Sequence, residues 1–92
     1  MQNEIVIGDE VAGFTEYHDR GNRRSFLHTQ IDPAFEGRGL GSQLIRTVLA
    51  DARERGLEVL PYCPFVRGYI ANHRDDYLDL VPVDQREHFG LD

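Results

Sequence analysis

The sequence predicts an α/β (α+β) chain built on a mixed, mostly antiparallel sheet with one β-α-β crossover. Three observations carry this expectation. Extended, β-branched runs repeat before residue 32, separated by Gly8-Asp9-Glu10 and Asp19-Arg20-Gly21-Asn22. A helix-period apolar stripe then lies between a glycine cluster and a short apolar run. Finally, 92 residues with 40% hydrophobic content suit one modest core, so residues 1–92 are expected to form one domain.

The first strand is Glu4-Ile5-Val6-Ile7, which runs into the Gly8-Asp9-Glu10 turn. Val11 to His18 and Arg23 to Ile31 complete an antiparallel meander. In the third run, a period of two sets Leu27, Thr29 and Ile31 on one face and Phe26, His28 and Gln30 on the other. Asp32-Pro33 ends that run, because proline lacks an amide donor and restricts the preceding residue. Leu44, Ile45, Val48, Leu49 and Ala52 then form one helical face opposite Gln43, Arg46, Arg53 and Glu54. Arg53 and Arg55 suit the last turn of that helix, and Gly56 suits the left-handed residue beyond it. Leu57 to Leu60 reads as a strand, Pro64 as the first turn of a second helix, and Tyr77 to Val83 as a last short strand.

Composition excludes several function classes. The single cysteine, Cys63, and the spacing of His18, His28, His73 and His88 leave no disulfide scaffold or structural zinc site. A net charge of −6 argues against broad nucleic-acid binding and mildly favours a cationic substrate. No run reaches the roughly 18 to 20 apolar residues of a membrane span, and no signal-peptide pattern opens the chain, so a cytoplasmic protein is expected. Oligomeric state is left open; a monomer suffices.

The segment Ala34-Phe35-Glu36-Gly37-Arg38-Gly39-Leu40-Gly41-Ser42 joins a strand to a helix. An ordinary glycine turn is one reading. An anion site is the other, since unpaired amides at a helix N-terminus meet the positive end of its dipole. A nucleotide P-loop needs a lysine, and all ten basic residues are arginine. The dinucleotide fingerprint fails on glycine spacing and chain length.

Glu36 to Ser42, with a strand before and an amphipathic helix after, resembles motif A of the GNAT superfamily of acyl-CoA N-acyltransferases. That motif runs Gln/Arg-x-x-Gly-x-Gly/Ala and holds the coenzyme A pyrophosphate. Gly39 and Gly41 match, whereas Glu36 stands where the motif has Gln or Arg and is expected to face solvent or Arg38. The stretches His28–Ile45 and Asp51–His73, above all Cys63-Pro64-Phe65-Val66 with Tyr69-Ile70, are similar to a minimal single-domain branch often called YjdJ-type. The resemblance implies a minimal GNAT-like fold and transfer of acetyl from acetyl-CoA to an amine of a protein or small molecule. It implies a cleft where two parallel strands splay. Thr29 and Ile31 would bond the pantetheine amides, and Gly37, Arg38, Gly39, Leu40, Gly41 and Ser42 would surround the pyrophosphate. Cys63 would lie near the thioester, with Tyr69 as coenzyme contact or acid.

Each candidate also has a plain structural reading. Cys63 suits a small buried apolar position, yet it precedes a helix N-terminus that favours a thiolate, so covalent and direct routes both stay open. Tyr69 could be a core aromatic, and His28 either a structural histidine or a base. His73 and Arg74 could reach a coenzyme phosphate or simply end a helix. Rivals to the enzyme reading are a non-catalytic acyl-CoA-binding or sensing module and a protein-interaction domain.

Overall fold

A computed structural model covers residues 1–92. Strands β1 (Gln2–Ile7), β2 (Glu10–Arg20), β3 (Arg23–Ile31) and β4 (Glu58–Pro61) form one sheet in that order. The first three are antiparallel neighbours, and β4 lies parallel to β3. The parallel pair needs a crossover, which α1 (Leu40–Glu54) supplies. The predicted stripe of α1 is buried, joined by Leu40, and Gly56 leaves the helix at φ +70°. Two short helices, α3 (Arg74–Tyr77) and α4 (Val83–Arg86), follow α2 (Pro64–Asn72). No helix is long and apolar enough to cross a membrane.

The main core joins Phe26, Val59 and the α1 stripe to Val66 and Ile70 of α2 and to Leu80, Val81, Phe89 and Leu91 of the tail. Ala12, Phe35 and Leu40 make a smaller cluster under the glycine loop. Arg24 is 3% exposed. Its guanidinium donates to both carboxylate oxygens of Asp19 (2.7 and 2.9 Å) and to Asp51 (2.9 Å), and lies 4.2 Å from the centroid of the Tyr17 ring.

Two sequence expectations are corrected. The tail forms no strand from Tyr77 to Val83; a 3₁₀ turn at Leu78–Leu80 and α4 stand there instead. Arginine side chains satisfy this turn in place of a sheet partner. Arg86 donates to the Leu78 and Val81 carbonyls, Arg53 grips Asp79 and the Asp76 carbonyl, and Pro82 could donate to no ladder.

The facing of β3 also differs. Tyr17 pairs with Phe26 and Glu16 with His28, so Leu27 is an extra, unpaired residue. Such a bulge reverses the alternation. Phe26 therefore joins Arg24 on the inner, helix-covered face, and Leu27 is 48% exposed instead of sharing a face with Thr29 and Ile31.

Candidate functional site

Pairing of β3 with β4 ends at Phe26 and Pro61. The Cys63 amide still donates to the Phe26 carbonyl (2.8 Å), and Pro64 then opens α2 and carries the chain away. β3 continues with one edge free. Because the Asp32 amide donates to the Ala12 carbonyl on β2 (2.7 Å), the antiparallel alternation turns the main-chain groups of Thr29 and Ile31 toward that free edge.

The chain leaves β3 through Asp32, whose carboxylate accepts from the Ala34 amide (2.9 Å), and a 3₁₀ turn at Pro33–Phe35. Gly37 (φ +84°) and Gly39 (φ +72°) adopt left-handed conformations that side chains disfavour, and Gly39 caps α1. The amides of residues 37 to 42 donate to no protein group; the first to do so is Gln43, to the Gly39 carbonyl (3.2 Å). They cluster at the positive end of a 15-residue helix. Gly41 has a different reason: a Cβ there would come within 2.7 Å of Cζ of Phe65, so the ring of α2 packs directly on the α1 backbone.

These elements enclose a groove of about 490 Å³ lined by Thr29, Gln30, Ile31, Phe35, Glu36, Gly37, Gly39, Leu40, Gly41, Ser42 and Phe65. A second hollow, of about 300 Å³, shares Ser42 and Phe65 and adds Pro64, Gly68, Tyr69 and Asn72. Glu36 is exposed and has no ion pair, and Arg38 lies 5.2 Å from the centroid of the Phe35 ring instead of pairing with it.

Most predicted contacts thus meet in one place, with Tyr69 in the adjoining hollow and Arg38 beside Phe35. Cys63 is 2% exposed, and its thiol donates to Thr29 Oγ1 (3.3 Å), itself 3.2 Å from Thr15 Oγ1. His28 is exposed on the opposite face of the sheet, edge-on to Phe14 with centroids 6.0 Å apart. Tyr69 is half-buried and stacks on His73 (4.2 Å), whose Nδ1 donates to the Tyr69 carbonyl (2.8 Å). Burial and neighbouring Tyr69 hold the Tyr77 hydroxyl above its ordinary pKa. Arg74 ties down the tail through the Leu91 carbonyl (2.7 Å). Gln30, Phe35, Glu36 and Phe65 are groove walls absent from the predicted site residues. A signal for the Phe65 wall was present, since Gly41 falls within the first helical turn, where a glycine marks close approach.

A family model described as GCN5-related N-acetyl-transferase matches residues 2–80. The chain belongs to that family. Its role is accordingly that of an acetyltransferase, and the small α+β architecture with a four-stranded mixed sheet agrees with a minimal GNAT-like fold. No curated protein matches the chain in sequence.

Proposed function

We propose that this GCN5-related N-acetyltransferase uses acetyl-CoA and moves its acetyl group to an amine. The observation that carries the reading is the run of free amides from Gly37 to Ser42, which opens onto the free edge of β3. The amides and the α1 dipole would hold the pyrophosphate. Main-chain groups of Thr29 and Ile31 would pair with the pantetheine amides as an added strand does. Leu40 and Phe65 supply apolar walls, Ser42 a hydroxyl, and Arg38 a charge near the loop. Tyr69 would contact the coenzyme in the adjoining hollow.

Acetyl-CoA supplies the activated thioester. Attack requires a neutral amine. His28, on the helix-free outer face of the splayed half of β3, is the proposed acceptor of the amine's proton. Cys63 is the proposed neighbour of the thioester. Its burial and its hydrogen bond to Thr29 favour direct transfer over a covalent acetyl-cysteine route.

Calorimetric titration with acetyl-CoA tests the binding step. Binding is expected to be lost in Gly39→Trp, and absence of binding by the unmodified chain overturns the reading. Binding without turnover over an amine panel would instead mark an acyl-CoA-binding or sensing module. Intact-mass analysis after incubation with acetyl-CoA separates the routes: a stable acetyl adduct lost in Cys63→Ala contradicts direct transfer.

A further inference from the structure

The outer face of the sheet carries a second cavity of about 520 Å³, lined by His18, Arg20, Arg23, Ser25, Leu60 and Tyr62. Its lining contains no carboxylate, although the chain as a whole bears a charge of −6. A cleft lined by one sign of charge focuses its field on an oppositely charged ligand. Arg23 is partly committed, since it donates to Glu58 (3.1 Å) and lies 3.7 Å from Asp84. Arg20 has no ion-pair partner. One end of the cavity adjoins the splay: Ser25 pairs with Leu60 immediately before the last parallel pair, and Tyr62 precedes Cys63.

The inner approach to the splay is filled by Cys63, Val66 and Ile70, each 2% exposed or less. With the coenzyme in the glycine-loop groove and these side chains packed beside it, the outer face, where His28 also lies, is the approach left to an acceptor. Arg23 stands about 13 Å along β3 from Leu27, where the free edge begins, at a rise of ~3.3 Å per residue. An anion held at the arginine end and an amine at the free edge must be well separated in one molecule.

We infer that this basic cavity is the acceptor subsite and that it takes an amine carrying an anionic group at the far end of an extended carbon chain. The inference rests on the acetyl-CoA reading of the glycine-loop groove. Arg20 is its specificity-determining residue, with Tyr62 and Leu60 flanking the carbon chain. A guanidinium recognises carboxylate and phosphate alike, so the shared chemistry is an anion of either kind.

The test compares acetylation of 6-aminohexanol, 6-aminohexanoate, 6-aminohexyl phosphate and the short β-alanine. KM for one or both long anionic amines is expected to be about tenfold below that for 6-aminohexanol, the worth of one charged hydrogen bond, with β-alanine poor. The better of the two anions names the group. Arg20→Gln should erase the preference and Arg20→Lys should retain part of it. Equal KM values for all four amines, a preference for the neutral amine, or a preference that survives Arg20→Gln overturns the inference. A readout free of turnover is the amide spectrum titrated with 6-aminohexanoate and 6-aminohexyl phosphate alone. Shifts at Arg20, Ser25 and Tyr62 with either support the subsite, and their absence with both counts against it. Calorimetry with acetyl-CoA run in parallel reports separately on the coenzyme groove.

Discussion

From Arg23 to Phe26, β3 is paired on both edges, and Arg24 is clamped between Asp19 and Asp51 beneath the sheet. From His28 to Ile31 the same strand is paired on one edge only, and Thr29, Gln30 and Ile31 line the candidate coenzyme groove. The bulge at Leu27 divides the halves. Ladder bonds and a buried ion cluster stabilise the first half. The second leaves main-chain groups unpaired, a cost that a strand accepts where a ligand can complete the ladder.

The largest effect should come from breaking the closed half. Arg24→Met removes the partner of Asp19 and one partner of Asp51, and should cost about 3 kcal/mol in urea denaturation, at the lower end for a buried pair because both carboxylates are partly exposed. Its pH signature is also fixed. The Asp19 carboxyl is held below its ordinary pKa by the hydrogen bond from Arg24, and the Asp51 carboxyl by Arg55 and then Arg24. Depressed carboxylates stabilise the fold above their unfolded pKa of about 3.9 and lose that contribution as pH falls through the lower folded values. Stability of the unmodified chain should therefore fall on acidification below about pH 4. Arg24→Met should show a shallower fall.

In the open half, His28→Gln should leave stability within about 0.5 kcal/mol, because the side chain is exposed. Acetyl transfer should drop about 100-fold, read as the initial rate with acetyl-CoA and an amine. Gly39→Val, at φ +72°, should cost about 1–3 kcal/mol in strain and weaken acetyl-CoA binding, read by calorimetry. Smaller still is Gly41→Ala, whose methyl must displace the tip of the Phe65 ring. A several-fold loss of coenzyme affinity is expected, and Phe65→Ala should remove the additional effect of the alanine.

The periodic parts of the fold were legible in the sequence. The α1 stripe, its exit at Gly56 and the meander each follow from local spacing that tertiary contacts leave unchanged. Most of the groove was legible too, because the glycine loop and the end of β3 are close in sequence. The rest depends on long-range pairing. Nothing in Arg24-Ser25-Phe26-Leu27-His28 marks Leu27 as the bulged residue; the extra position appears only in register with β2. Leu78 and Leu80 alternate in the tail much as in a strand, yet Arg53 of α1 and the nearby Arg86 satisfy its carbonyls instead. The basic cavity joins residues of three strands and is likewise invisible to a linear reading.

The contrast between the halves of β3 is tested most directly by titrating the amide spectrum of the isotopically labelled chain with coenzyme A. The largest shifts are expected at residues 37 to 42 and at Thr29 and Ile31, with the amides of Arg23 to Phe26 nearly unmoved. Shifts centred on Arg23 to Phe26, or none at the glycine loop at saturating coenzyme, would contradict that contrast.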